Sequence, residues 1–341
     1  MDKKSILLIY TGGTIGMIED FESKTLKPFD FRSIECQVPE LKKIKANIET
    51  ISFESPIDSS DMDMVAWKKI ANIVQDNYDN HDGFVILHGS DTMSYTASAL
   101  SFMLKGINKP VILTGSQLPI GTIRTDGKEN LITAIEIAAA HENGRPIIPE
   151  VCIYFEYDLY RGNRTSKVNA EDFEAFNSFN YPPLAEAGVH IKYNKNYIHY
   201  RENESFQVFT ELEENVAILK LFPGITKKVV QAILRIEGLK GVVLETFGSG
   251  NATTKKWFID ELKLAADKGI YIFNVTQCLA GSVQQGMYDA SSSFNALGII
   301  SGKDITSEAA ITKMMYVLAK YKEPSQIKSK LASSLAGEMS K

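Results

Sequence analysis

A threonine hydroxyl is a weak nucleophile. It works only where a base can take its proton and donors can receive the charge it creates. The 341-residue chain presents one early, Thr14, in the run Thr11-Gly12-Gly13-Thr14-Ile15-Gly16. Glycines there let the backbone turn sharply and leave a neighbouring side chain open. The loop misses the G-x-G-x-x-G spacing, and no G-x-x-x-x-G-K-[ST] occurs, so a phosphate cradle fits poorly. Taken alone, Thr14 reads most simply as a turn or helix-cap hydroxyl.

Three further polar loops change that weighting. His88-Gly89-Ser90-Asp91-Thr92-Met93 sets a hydroxyl beside a carboxylate. Ser90 and Asp91 are ordinary helix caps on the plain reading. On the chemical reading they form a hydrogen-bond relay plus a negative charge able to hold an ammonium. Arg161-Gly162-Asn163-Arg164-Thr165-Ser166-Lys167 is dense in basic and polar groups, the usual mark of a solvated loop. A lysine brought beside Asp91 would instead be a proton-transfer partner or hold a base in place. Asp58-Ser59-Ser60-Asp61 precedes an amphipathic segment. Ser60 or Asp61 could cap it, and N–H groups with hydroxyls at a helix start also suit a carboxylate ligand.

The elements that must position these loops follow one pattern. Ser5–Tyr10, Gly83–Leu87 and Pro110–Leu113 are short apolar strands, each running into a polar loop. Near-continuous apolar strands are expected in a parallel sheet buried on both faces. Between them, Met64, Trp67, Ile70, Ala71 and Val74 share a helical face, as do Met93, Ala97, Leu100 and Leu104. Another strand-like run, Val151–Phe155, leads toward the Arg161 loop. The pattern predicts an α/β protein of two domains. A larger N-terminal domain, 1–190, has a parallel-type sheet flanked by helices and carries the nucleophile and relay. A linker, 191–212, is rich in Asn, Tyr and charge. A smaller α/β domain, 213–341, has strands near Asn215–Phe222, Gly241–Leu244 and Ile270–Val275, with helices over Lys227–Leu239 and Thr254–Lys268.

Composition narrows the partners. Net charge is −5 with no Lys/Arg block, which gives no footprint for nucleic acid or an anionic membrane. No stretch suits a signal-peptide core or a bilayer span. Cys36, Cys152 and Cys278 are odd in number and far apart, which suggests reduced thiols and a cytoplasmic protein. The histidines form no H-E-x-x-H and the cysteines no C-x-x-C, so metal chemistry finds no support. No G-x-S-x-G elbow appears.

Together, T-G-G-T-I-G, D-S-S-D-M at 58–62, H-G-S-D-T-M at 88–93 and R-G-N-R-T-S-K at 161–167 resemble the bacterial-type L-asparaginases, the cytoplasmic type I branch above all. The resemblance runs along essentially the whole chain. It takes in Y-T-A-S-A-L-S-F-M-L at 95–104, T-G-S-Q-L-P at 114–119, G-S-G-N-A at 248–252 and T-Q-C-L-A-G at 276–281. It implies hydrolysis of L-asparagine to aspartate and ammonia, no cofactor, no metal, and a homodimer or homotetramer. It gives Thr14 the role of nucleophile, forming a beta-aspartyl ester. Ser90, Asp91 and Lys167 would be the relay. Asp58, Ser59 and Ser60 would hold the substrate carboxylate, and Asp91 its α-ammonium.

Two positions depart from the family pattern. The relay usually carries Thr where this chain has Ser90. The loop from Met17 to Asp30, where many members place an assisting tyrosine, has none. Tyr288 is the candidate substitute, with a surface tyrosine as the plain alternative.

Other readings are glutamine hydrolysis, the amidase half of a tRNA-dependent amidotransferase, and a non-enzymatic amino-acid or dinucleotide binder. One methylene changes pocket fit by only about 1–3 kcal/mol, so sequence sets the first preference poorly. The amidotransferase reading expects an extra N-terminal region ahead of Thr11 and a tRNA footprint. The binder reading leaves the combination of Thr14, Ser90, Asp91 and Lys167 as coincidence.

Overall fold

The run from Ile6 to Ile9 has no polar face to offer water, and in the computed structural model it is the buried centre of a sheet. The structure describes residues 3–19, 26–28, 38–201, 204–286 and 289–341. Chain contacts divide them into two units, Met1–Thr210 and Glu211–Lys341.

The first unit is built on β1 (Lys4–Gly12), β2 (Ala46–Ile57), β3 (Gly83–Leu87), β4 (Val111–Thr114), β5 (Val151–Phe155) and β6 (Asp158–Arg161). The hairpin β7 (Ser166–Lys167) and β8 (Phe176–Asn177) follows, then β9 (Ala185–Ala187) and β10 (Ile191–Tyr193). The large sheet has the order β10-β9-β6-β5-β4-β3-β1-β2. From β2 to β5 every pairing is parallel. From β5 to β10 every pairing is antiparallel. The expected parallel sheet is thus the half that carries the Thr14, Asp58 and Ser90 loops, while the Arg161 loop follows antiparallel β6. β5 and β6 are joined by residues 156–157 alone, too short for a crossover, so that edge reverses direction.

Residues 191–212, read from sequence as a linker, contribute β10 to this sheet and Gln207–Val208 to a pairing with Leu104–Lys105. Ile191 and Tyr193 pack against the main core, which draws the segment into the domain. The helices α1 (Met64–Asp76), α2 (Met93–Met103) and α3 (Gly127–Ala139) follow β2, β3 and β4. α1 buries Trp67, Ile70, Ala71 and Val74 of the expected face, with Ala66 in addition, and leaves Met64 partly exposed.

The second unit has four parallel strands, β11 (Val216–Lys220), β12 (Gly241–Thr246), β13 (Tyr271–Thr276) and β14 (Ile300–Ser301). Its helices are α4 (Lys227–Leu234), α5 (Lys256–Asp267), α6 (Asp289–Ala296), α7 (Ser307–Lys320) and α8 (Pro324–Ala332). A fully buried ion pair ties the segment after α8 to α7. Lys313 Nζ lies 2.8 Å from Glu338 Oε1, and both side chains are 0% exposed. Lys313 also donates to the carbonyls of Leu331 and Ser333. Burial opposes ionisation of Glu338, but the Lys313 ammonium and the N–H groups of Ala336 and Leu335 together hold its carboxyl below the usual carboxylate range.

Among the described residues no helix is long and apolar enough to cross a membrane. Cys152 is buried and Cys278 exposed, and neither is in a disulfide; Cys36 lies outside the described residues.

Candidate active site

The polar loops after β1, β2 and β3 gather at the carboxyl ends of the parallel strands, where open α/β sheets place ligands; the Arg161 segment leaves antiparallel β6 beside the start of β5. Glycines bring them together. Gly12 pairs with Ile57, and a Cβ on Gly12 would fall 2.1 Å from the Ile57 carbonyl oxygen. The end of β1 therefore lies against the end of β2 and the Asp58 loop that follows. A Cβ on Gly13 would fall 2.5 Å from the Gly89 nitrogen. One on Gly89 would meet Ser59 Oγ at the same 2.5 Å. Thr14 and Ser90 each follow one of these touching glycines, and Ser59 closes the third side.

Thr14 opens a one-turn 3-10 helix, Thr14–Gly16, and is partly exposed. Tyr10 lies beneath it, with a Cβ on Gly16 only 2.2 Å from the phenol oxygen. The Tyr10 hydroxyl donates to the Gly16 carbonyl at 3.4 Å, and burial pushes its pKa up to about 12, so it keeps its proton.

The relay residues meet. Lys167 Nζ donates to Ser90 Oγ at 2.8 Å and to Asp91 Oδ1 at 2.7 Å. The Lys167 side chain is 16% exposed and that of Asp91 66%, so one end of the pair faces solvent. The plain reading of Ser90 and Asp91 as caps does not hold. α2 begins after Thr92, which makes no side-chain cap; its hydroxyl donates to the Ser59 carbonyl at 2.6 Å instead.

The Arg161–Lys167 segment is not a solvated loop either. Arg161, Asn163, Arg164 and Thr165 are all buried. Arg161 pairs with Glu150 at 2.6 Å, both about 5% exposed. Gly162 lies against α2, where a Cβ would meet that of Ala97 at 2.8 Å. This packing carries Lys167 on β7 to the end of α2.

The Asp58 loop is organised by its own carboxylate. Asp58 Oδ1 accepts from the Ser60 N–H at 2.9 Å and the Ser60 hydroxyl at 2.8 Å. The backbone donor, then the hydroxyl, hold its carboxyl below the usual range. Asp63, rather than Ser60 or Asp61, caps α1, accepting from the Ala66 N–H at 2.8 Å. Ser59 is buried against Gly89, while Asp58 and Ser60 are exposed.

Two side chains had no role in the sequence reading, although both lie within motifs it quoted. His88 is fully buried. The Trp67 indole N–H donates to Thr96 Oγ1 at 2.9 Å, and Thr96 Oγ1 lies 2.8 Å from His88 Nε2. The indole is donor only, so the Thr96 hydroxyl is free to donate to Nε2 and the His88 Nδ1–H to the Gly89 carbonyl at 2.6 Å. Burial pulls the His88 pKa down to about 4, which keeps the ring neutral in this chain of donors. Gln117, after β4, accepts from the Ser90 hydroxyl at 3.2 Å. Nothing in the spacing of either residue marks its partner, which becomes adjacent only in the folded sheet. Tyr288 lies outside the described residues.

Residues 5–199 match the family described as Asparaginase, N-terminal, and residues 215–331 the Glutaminase/Asparaginase C-terminal domain. The chain is 41% identical over 341 residues to L-asparaginase 1 of Escherichia coli strain K12, covering 99% of each. Its structure is similar to L-asparaginase I from Vibrio cholerae, with a TM-score of 0.89 at 38% identity over 99% of each chain. It is also similar to the thermostable L-asparaginase from Thermococcus kodakarensis, with a TM-score of 0.90 at 30% identity, again over 99% of each. With both halves matched and these relatives aligned over nearly their whole length, the chain belongs to the asparaginase family.

Proposed function

We propose that the chain hydrolyses L-asparagine to L-aspartate and ammonia through an ester on Thr14. The observation that carries this is the meeting of Lys167 with both Ser90 and Asp91, at 2.8 and 2.7 Å, in a loop packed glycine to glycine against the Thr14 turn. Thr14 Oγ1 adds to the side-chain amide carbon. Lys167 passes a proton to the departing nitrogen, which leaves as ammonia; Ser90 turns its hydrogen from Gln117 to replace the one Lys167 has given, and the Ser90 oxygen takes the Thr14 proton. Water then cleaves the ester, giving aspartate and restoring the hydroxyl. Backbone N–H groups around Ser90 receive the oxyanion.

Asp91 takes the α-ammonium of the substrate. Within the 58–60 loop the α-carboxylate falls to Ser59, because Asp58 already occupies the donors of Ser60 and holds the loop in shape. Fixing both charged ends places the amide against Thr14, and about 7–11 kcal/mol of barrier can come from such placement. The unpaired cysteines fit a reducing, cytoplasmic setting. The family resemblance suggests a homodimer or homotetramer.

The test is ammonia release from L-asparagine, L-glutamine and D-asparagine by the purified chain and by Thr14→Ala. Thr14→Ala should fold and lose turnover. Substantial residual turnover would remove Thr14 from the mechanism. Tight asparagine binding by the unsubstituted chain without ammonia would favour a binding protein.

A further inference from the structure

Gln117 sits at a junction of three loops that the proposed reaction needs. Its own backbone is fixed first. The buried Asp126 carboxylate accepts from the Gln117 N–H at 2.8 Å and the Leu118 N–H at 3.1 Å. Asn130 supports this carboxylate at 3.3 Å and also donates to the Gly115 carbonyl at 3.0 Å. Gly115 in turn lies so close to the His88 carbonyl that a Cβ would fall 2.3 Å from it. The loop after β4 is thereby locked to the loop after β3.

From this fixed backbone the side-chain amide reaches two ways. Its nitrogen donates to the Asp172 carbonyl at 3.0 Å. A carbonyl only accepts, so the amide nitrogen must face Asp172 and the amide oxygen must face Ser90. Asp172 belongs to the turn between β7 and β8, the hairpin that carries Lys167. That turn is itself held, because Asn169 Oδ1 accepts from the N–H groups of Glu171 at 2.9 Å and Asp172 at 3.1 Å. The oxygen of Gln117 accepts the Ser90 hydroxyl at 3.2 Å. Ser90 has a single hydrogen. Giving it to Gln117 leaves the Ser90 oxygen to accept from Lys167 at 2.8 Å. The hydroxyl is pinned from both sides.

We infer that Gln117 is a positioning residue for the reaction: one amide fixes the Ser90 hydroxyl and anchors the hairpin that brings Lys167 to it. The inference rests on the hydrolase reading above. It assigns Gln117 no contact with substrate; it acts through Ser90 and Lys167. Its loss therefore slows the chemical step more than it weakens binding, since the groups proposed to hold the substrate's charged ends, Asp91 and Ser59, make no hydrogen bond to it.

The experiment is a double-mutant cycle on the full chain, reading ammonia release. Gln117→Met keeps the side-chain length and removes both hydrogen bonds. It should lower kcat about 10- to 100-fold, less than the loss of about 10²- to 10⁴-fold for the proton-transfer group itself, while KM changes little. In a Ser90→Ala background the same substitution should cost clearly less than in the parent, because only the anchoring of the Lys167 hairpin is then left to lose. Wild-type kcat in Gln117→Met overturns the proposal. So do losses that simply multiply in the double variant, because they mark a role in folding alone. Turnover by the unsubstituted chain tests the hydrolase reading by itself, and the ratios between variants test Gln117.

Discussion

Gly13 and Gly89 meet backbone to backbone, and neither has room for a side chain. A Cβ on Gly13 would lie 2.5 Å from the Gly89 nitrogen, and Gly13 also holds φ at +86°, a conformation L side chains rarely adopt. Gly89→Ala should push its new methyl into Ser59 and separate the Asp58 loop from the Ser90 loop. The expected stability cost is about 1–3 kcal/mol, as for other overpacked sites. The expected loss of turnover is larger, on the order of a hundredfold, because a misplacement of about 1 Å is enough. Steady-state kinetics and urea unfolding of Gly89→Ala check both, and full turnover would contradict the close approach of Gly89 to Ser59.

Lys167 should matter for rate and little for stability. Its partner Asp91 is 66% exposed, and ion pairs open to water contribute about 0–1 kcal/mol. Lys167→Met should therefore unfold within about 1 kcal/mol of the parent while kcat falls about 10²- to 10⁴-fold. Ser90→Thr should retain turnover, since the hydroxyl stays. A parent chain that is inert until Ser90→Thr restores it would mean that the serine is the defect.

His88 should give the fold a sensitivity to acid. Its folded pKa is about 4 against an ordinary 6.5, because burial disfavours the charged ring. Between those values the unfolded chain binds a proton that the folded chain refuses. The stabilisation is whole above pH 6.5, shrinks as pH falls, and is spent near pH 4. The difference is on the order of 3 kcal/mol. His88→Gln cannot titrate, so the gap in stability between parent and variant should narrow from pH 7 to pH 4.5. Parallel stability curves across that range would show that the ring is not held neutral.

Much of this was legible because it rests on local pattern. The parallel strands β1, β3, β4 and β5 are short apolar runs that end in polar loops, and such runs are recognisable one at a time. β2 escaped the reading. It is an edge strand whose sequence, Ala46 to Ile57, mixes charge with isolated apolar residues, and its pairing partner lies more than thirty positions away. The buried Arg161 segment also misled, since a run of basic residues says nothing about the Glu150 that neutralises it. His88 and Gln117 are legible only as members of motifs. Their work depends on Thr96, Gly89, Ser90 and Asp172, which the sheet brings into place.

The buried pair in the second unit should behave as an all-or-nothing arrangement. Lys313→Met leaves Glu338 charged and fully buried, and removing one partner of such a pair costs about 3–5 kcal/mol. Urea unfolding followed by a probe in the second unit should show it. A shift below about 1 kcal/mol would mean that Glu338 can shed its charge freely.

That pairing also sets an order of events. Glu338 leaves the ribosome after every strand of the second sheet and after Lys313 itself. Until it arrives, the helix carrying Lys313 holds an ammonium that is costly to enclose. Docking of α7 onto its sheet should therefore be weaker until the segment beyond α8 is in place, and a released chain truncated before Glu338 should be cut by proteases faster than the full chain.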